Sequence, residues 1–156
     1  MQIIVGASAD RVLSAAAIWG AATAARDGDP VIPPTEASVP ILRAVLDGAA
    51  SSALVTVDAE GDTVGFAVLT HHAGGPAEVA YLGVAPTAWG GGVAGQLLRA
   101  VEAEARSRAC PHAELWVYAD NARAVAVYEA NGWSFDGGTR VHERSGRIEQ
   151  RHRLTL

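Results

Sequence analysis

The chain has 156 residues, of which 49% are hydrophobic, and its 12 basic and 17 acidic residues give a net charge of −5. This length suits one domain with a sizeable core, so we expect a single domain over residues 1–156. A negative net charge argues against nucleic acid or an anionic membrane as the main partner. The apolar runs are too short to span a membrane, no secretory signal pattern opens the chain, and the single cysteine, Cys110, excludes an internal disulfide. We therefore expect a soluble, cytoplasmic, globular protein.

Hydrophobic periodicity and turn residues predict a chain of alternating strands and helices. In the first half they predict a strand at Ile3–Val5, a helix from the N-cap Ser8 to about Arg26, a second helix that includes Ile41–Leu46, and a hairpin of strands Ala53–Val57 and Thr63–Thr70. In the second half they predict a strand at Ala77–Val84, a glycine turn with a following helix, a strand at Glu114–Tyr118, a helix at Asn121–Ala130, and two strands joined near Ser145 and Gly146. This order predicts an α/β fold, with a central mixed sheet flanked by about four helices.

The most informative segment is the glycine turn Gly90–Gly95, which a strand enters and a helix leaves. Glycines let a backbone bend tightly and approach a ligand closely, and free N–H groups at a helix start favour an anion. The turn could equally be a plain strand-to-helix connection. It is not a P-loop, because the protein has no lysine. Gly90, Gly92 and Gly95 satisfy G-x-G-x-x-G, but no doubly wound series of strands follows, so a dinucleotide site has little support.

Two segments together resemble the GNAT N-acetyltransferase superfamily. The run VAPTAWGGGVAGQLL, from Val84 to Leu98, is similar to the acetyl-coenzyme A signature Arg/Gln-x-x-Gly-x-Gly/Ala, preceded by Val-x-Pro and followed by Leu-Leu. The run from Leu115 to Trp133 resembles the family's Asn-x-x-Ala-x-x-x-Tyr-x-x-x-Gly-Phe stretch. The resemblance covers about Ser51–Phe135 well. It implies a GNAT-type fold, acetyl-coenzyme A as the acyl donor, and no metal.

The resemblance also implies which residues bind the coenzyme. The strand before the turn would hydrogen-bond the pantetheine arm, and a bulge would splay this strand from the next. Gly83 fits a bulge or a close ligand approach on physical grounds as well. The implied coenzyme-binding residues are Leu82, Gly83, Val84, Trp89, Gly90, Gly91, Gly92, Val93, Ala94, Gly95, Asn121, Arg123, Ala124 and Tyr128.

One residue departs from the family pattern. Trp89 stands where the family usually carries Arg or Gln, so that side chain is absent and Trp89 would pack beside the coenzyme or against the fold. The coenzyme is negatively charged and so is the protein, so binding must depend on local donors. Arg123, close to Asn121, could reach a phosphate.

Acetyl transfer to an amine needs a neutral amine and a proton for the departing thiolate. An alkylamine with a pKa near 10.4 is neutral in only about one molecule in a few thousand at pH 7, so a base is useful. Glu78 stands where some family members carry such a carboxylate, although it could be an ordinary strand residue. Tyr128 is the candidate acid, because its phenol is protonated at pH 7 and it shares a helix face with Asn121.

The acceptor is predicted only by class. In the family, the acceptor cleft is bordered by the connection between the first two helices, here Asp27–Glu36, and by the final strand pair, where His142 or His152 could face it. Asp27, Asp29 and Glu36 would make that wall acidic and favour a cationic primary amine of a small molecule or a protein N-terminus. The charged tail RIEQRHRL is typical of a solvated face or of an interface, and an interface there would allow a homodimer.

The sequence is also compatible with two other functions. A non-catalytic module that binds acyl-coenzyme A would keep the glycine turn without needing Tyr128 or an acceptor cleft. A dinucleotide-dependent reductase would use the same glycines for another cofactor. Direct transfer without a covalent enzyme intermediate is the favoured reaction, because Cys110 is not placed like a nucleophile.

Overall fold

Seven strands form one sheet in the order β1-β2-β3-β4-β5-β7-β6. The computed structural model describes all residues from Met1 to Leu156. Its strands are β1 (Gln2–Val5), β2 (Ser51–Val57), β3 (Thr63–His71), β4 (Ala77–Val84), β5 (His112–Tyr118), β6 (Ser134–Val141) and β7 (Ile148–Thr155). Its helices are α1 (Ala9–Asp27), α2 (Thr35–Leu46), α3 (Val93–Ser107) and α4 (Ala122–Ala130), and a 3-10 turn spans Pro86–Ala88.

Only one pair of neighbouring strands runs parallel. All pairings are antiparallel except that of β4 with β5. A parallel pair needs a crossover, and here α3 provides it, packing back over the sheet between the two strands. The carboxyl end of β4 and the start of α3 therefore lie beside β5 at the centre of the sheet.

Side-chain alternation along β3 divides the core into two layers. Ala67 and Leu69 pack in the larger cluster, with the buried face of α3 and with Tyr128 of α4. Phe66 and Val68 point to the opposite face and pack with α1 and α2. Successive strand residues point to opposite faces, so an apolar β3 is what a sheet covered on both sides requires. No helix is both long enough and apolar enough to span a membrane.

The sequence-based elements agree closely with this architecture. The α/β class, the mixed sheet and the four helices are confirmed, and Ser8 caps α1 by accepting a hydrogen bond from the N–H of Arg11 at 3.4 Å. The strand predicted at Glu114 begins at His112, and the 3-10 turn at Pro86–Ala88 was not predicted. Short turns of this kind have no hydrophobic period that could indicate them.

Candidate active site

The two parallel strands are paired at one end only. β4 and β5 pair over Ala77–Val79 and Ala113–Leu115 and over no later residues. On the other side of β4, the register with β3 shifts by one residue and leaves Ala80 as a β-bulge. Beyond that point the strands diverge, and their ends line a cavity of about 1000 Å³.

Gly83 lies in the diverging part of β4. The structure explains in another way than predicted why a glycine stands there. A Cβ atom on Gly83 would lie 2.6 Å from Cε1 of Phe66, so the absent side chain makes room for the core. The bulge is at Ala80, so of the two alternatives predicted for Gly83 the bulge is wrong, and a close approach of a ligand stays a prediction. Leu82, Gly83 and Val84 nevertheless all line the cavity.

The glycine turn lies at one wall of this cavity with left-handed backbone. Gly90 and Gly92 have φ of 80° and 79°, values that L side chains rarely adopt. Gly92 then precedes α3, and its carbonyl accepts the N–H of Gln96 at 3.1 Å. The N–H groups of the first turn of α3 have no partner in the protein, which leaves them free to bind an anion.

Most residues predicted for the glycine turn line the cavity, with one exception. Gly91 does not line it, and its N–H donates to the carbonyl of Ala88 at 3.2 Å. Gly95 allows α3 and α4 to approach, because an added Cβ would lie 3.3 Å from Oδ1 of Asn131. The turn residues on the cavity wall are Trp89, Gly90, Gly92, Val93, Ala94 and Gly95.

Helix α4 provides the facing wall. Asn121 caps it, because its Oδ1 accepts the N–H of Ala124 at 3.3 Å, and both residues line the cavity. Tyr128, two turns later, also lines the cavity, and its ring packs against Trp133 and His152 with centroid distances of 6.4 and 6.3 Å. The structure thus brings Asn121, Ala124 and Tyr128 to one surface.

The phenol of Tyr128 has an unusual environment. Its hydroxyl makes no hydrogen bond within the protein, and burial raises the pKa of Tyr128 to about 12. The phenol is therefore fully protonated at neutral pH and can donate to a bound group. Transfer of its proton to a thiolate with a pKa near 8.5 would be uphill by about 3.5 units, or roughly 5 kcal/mol. The phenol is therefore suited to donate a hydrogen bond rather than to give up its proton.

Trp89 and Arg123 form a stacked pair beside the glycine turn. The indole N–H of Trp89 donates to the carbonyl of Val84 at 2.9 Å, which fixes the ring. The guanidinium carbon of Arg123 lies 4.4 Å from the centre of that ring, and no carboxylate pairs with Arg123. A cation–π contact of this kind holds the guanidinium in place without neutralising it. Both residues line the cavity, so a positive charge stands next to the turn although the signature position carries tryptophan.

Glu78 lies on the cavity near the last paired residues of β4. It is partly buried, its carboxylate makes no hydrogen bond or ion pair, and it stands opposite Glu114 of β5. It thus lies at the paired end of the two strands, and its role as a base stays a prediction.

The helix connection at Asp27–Glu36 does not form an acidic wall, so that expectation is wrong. Asp27 is bound to Arg26 and Arg147 at 2.8 Å each, and these bonds lower its pKa to about 2. Asp29 accepts the N–H of Val31 at 2.9 Å. The cavity is not lined by Asp27, Asp29 or Glu36.

Two residues of β7, His152 and Glu149, lie elsewhere than the sequence suggested. Of the two histidines predicted as candidates for the cleft, His142 lines the cavity, whereas His152 is fully buried next to Tyr128, and burial lowers its pKa. Glu149, in the tail predicted as solvated, is 8% exposed and lines the cavity, where its Oε2 accepts Nε–H of Arg140 at 2.6 Å. Its strand alternates charged residues, and only the pairing with β5 and β6 determines that Glu149 faces inward. No three His, Cys, Asp or Glu side chains lie together as a metal site would need.

The seven-stranded mixed sheet with its four helices matches the acyl-coenzyme A N-acyltransferase fold of similar solved structures. Residues 21–133 match the family model described as the acetyltransferase (GNAT) family. Because this match covers more than half of the chain, the protein belongs to the GNAT acetyltransferase family. No curated protein matches the chain significantly.

Among solved structures, nourseothricin acetyltransferase is 25% identical, with a TM-score of 0.63, and the match covers 69% of this chain and 66% of that one, just under two thirds. The ribosomal-protein-S18-alanine N-acetyltransferase of Escherichia coli is 18% identical over 99% of this chain and 94% of its own, with a TM-score of 0.75. The PaiA N-acetyltransferase of Thermoplasma acidophilum, solved with coenzyme A, is 16% identical over 100% of both chains, with a TM-score of 0.72. The last two likenesses concern the fold.

The raised pKa of Tyr128 makes stability depend on alkaline pH. The unfolded phenol ionises near pH 10 and the folded one near 12, so folding is disfavoured as the pH rises through this window. We expect the wild-type free energy of unfolding to fall by roughly 2–3 kcal/mol more than that of Tyr128→Phe between pH 9 and pH 12. Urea unfolding measures this cleanly, because no lysine titrates in that range. Parallel pH profiles for the two proteins would contradict the assignment.

Proposed function

We propose that the protein transfers the acetyl group of acetyl-coenzyme A directly to a primary amine, within one domain formed by residues 1–156. One observation carries this proposal: the cavity passes through the gap between β4 and β5, so that the glycine turn lies on one side of the sheet and Glu78, Tyr81 and Trp116 face the other. A coenzyme on the first side and an amine on the second would meet in the gap.

The coenzyme phosphates would bind at the start of α3. The free N–H groups of Val93, Ala94 and Gly95 supply donors, and the positive end of the helix dipole favours an anion. Arg123, held on the Trp89 ring, adds the charge that the signature position lacks. This local charge is needed, since the net charge of −5 repels the coenzyme at long range. The pantetheine arm would run along Leu82, Gly83 and Val84.

The chemistry would divide between two residues. Glu78, with no partner in the protein, would accept the amine's proton, directly or through a water molecule. Tyr128 would donate a hydrogen bond to the thiolate as the tetrahedral intermediate collapses, with the acetyl carbon bonded to nitrogen and sulfur leaving. Cys110 is buried and does not line the cavity, which supports direct transfer without an acyl-enzyme.

The acceptor side of the cavity favours an enzyme over a non-catalytic module that binds acyl-coenzyme A. A module that only binds acyl-coenzyme A does not need a cavity that continues to the opposite side of the sheet. A cationic acceptor, such as a polyamine or a protein N-terminus, is no longer favoured, because the acidic residues of the Asp27–Glu36 connection do not line the cavity. A cytoplasmic location is consistent with the proposed donor, but it rests on that donor alone.

The first test of this function concerns coenzyme binding. Gly92→Asp places a carboxylate where the phosphates would lie, while aspartate tolerates left-handed backbone better than most residues. We expect acetyl-coenzyme A to raise the Tm of the wild type as a ligand of the folded state does, and Gly92→Asp to lose this shift, with Kd at least about tenfold higher. The measurement is thermal unfolding against coenzyme concentration.

Gly74→Asp is the matched control for that variant. Gly74 has a φ of 73° and open space around it, as Gly92 does, but it lies in the β3–β4 turn and outside the cavity. The control should keep the full coenzyme shift. If Gly92→Asp also keeps it, the glycine turn is not the phosphate site.

The second test concerns chemistry. Tyr128→Phe keeps the ring that packs on Trp133 and His152 and removes only the hydroxyl. We expect kcat to fall on the order of 10²-fold, because a donor to the leaving group is lost, while the coenzyme-dependent Tm shift persists. Release of free thiol with saturating acetyl-coenzyme A measures kcat. Full activity in the variant would reduce Tyr128 to a packing residue.

A further inference from the structure

A second cavity, of about 530 Å³, continues the first on the side of the sheet that carries α1. It shares most of its lining with the first cavity and extends it toward the β6–β7 hairpin. Its volume suits a small molecule better than a folded partner. Because it opens from the strand gap, any amine that reaches the thioester from this side passes through it. Its chemistry therefore determines which amines are accepted, provided that the function proposed above is correct.

Glu149 lies at the inner end of this second cavity. Its side chain is buried, one carboxylate oxygen accepts Nε–H of Arg140 at 2.6 Å, and the other has no partner in the protein. Glu149 lines the cavity, so an ammonium group bound there would donate a charge-assisted hydrogen bond to this oxygen. Glu149 stands opposite Tyr118 of β5, whose end lines the gap. It is therefore placed to hold an amine near the open end of the gap, and Glu78, level with Glu114 four residues earlier on β5, would take the amine's proton through intervening water.

Hydrogen-bond donors follow Glu149 outward along the hairpin. The terminal nitrogens of Arg140 have no carboxylate partner beyond the bond made by Nε. Two residues further along, Nδ1 of His142 accepts the N–H of Ser145 at 3.2 Å, so the neutral ring carries its proton on Nε2. Arg144, at the hairpin turn, is exposed and has no ion pair. These groups are suited to bind an anionic oxygen on the hairpin side of Glu149.

The charges that line the second cavity nearly cancel, which favours an acceptor without a large net charge. Arg26 is neutralised by Asp27 and Arg140 by Glu149. Among the charged lining residues this leaves Arg144 and the exposed Glu143 without partners, so a polycation meets guanidinium groups and a polyanion meets carboxylates. A molecule with one positive and one negative group satisfies both.

Apolar side chains form the remaining wall. Trp19 and Tyr81 pack edge to face with a centroid distance of 5.0 Å, and Ile41 of α2 lies beside them on the cavity. This wall offers contact to an apolar substituent of the acceptor, next to the polar groups of the hairpin.

We propose that the acceptor is a small zwitterionic amine, namely a free amino acid with an apolar side chain. Its amine binds the free oxygen of Glu149, its carboxylate binds Arg140, His142 and Arg144, and its side chain packs on Trp19, Tyr81 and Ile41. This proposal rests on the proposed acetyl transfer and adds the class of acceptor to it.

The test compares three forms of each acceptor. Leucine, methionine and phenylalanine are each supplied as the free acid, the amide and the decarboxylated amine, with spermidine as a polycation, and free thiol is measured. We expect kcat/KM for the free acids to exceed that of the other forms at least about tenfold, the value of one charge-assisted hydrogen bond. Arg144→Glu should reduce this ratio at least about tenfold, because it replaces attraction to the carboxylate by repulsion.

Arg11→Glu is the matched control, since Arg11 lies on α1 away from both cavities and has no ion pair. It should leave the ratio unchanged. Equal or better use of amides, decarboxylated amines or spermidine, or an unchanged ratio in Arg144→Glu, would overturn the proposal while leaving acetyl transfer intact. Turnover of none of these compounds would overturn it as well, and a missing coenzyme-dependent Tm shift would then overturn acetyl transfer too.

Discussion

The interaction on which the rest of the structure depends is the incomplete pairing of β4 with β5. Parallel strands normally hydrogen-bond along their length, and here they do so over three residues of each strand before they separate. The bulge at Ala80 bends β4 away, and the Phe66 ring occupies the space that a side chain on Gly83 would need. The separation exposes backbone groups in the middle of a sheet, where a ligand can bind them.

Every other feature of the site is arranged around that separation. The crossover between the two strands begins with α3, so its unpaired N–H groups lie at the mouth of the gap. Helix α4 follows β5 and brings Tyr128 to the same side. On the opposite side no helix covers β5, β7 and β6 as α1 covers β3 and β4, so the polar groups of the final hairpin remain accessible. The two accessible sides, which we propose receive the donor and the acceptor, thus arise from the incomplete pairing of β4 with β5.

The sequence predicted the local features and missed those that depend on pairing between distant strands. Tight turns and periodic elements leave signals within a few residues, which is why β4, the bend at the glycine turn and helix α4 were predicted correctly. The inward orientation of Glu149 depends on its register with Tyr118, thirty-one positions earlier, and no local pattern encodes it. The contact of Arg123 with Trp89 joins two elements in the same way. The prediction of an acidic connection was wrong because Arg147, one of the two arginines that neutralise Asp27, lies 120 positions away in the sequence.

A crystal structure of the protein with coenzyme A bound is the most direct test of whether the coenzyme lies in the gap between β4 and β5. The account predicts pyrophosphate oxygens within about 3.2 Å of the N–H groups of Val93, Ala94 and Gly95, and the pantetheine arm hydrogen-bonded to β4 beyond Ala80. It also predicts that the sulfur lies at the hydroxyl of Tyr128. Coenzyme bound elsewhere, or β4 and β5 paired along their whole length with the gap closed, would contradict it.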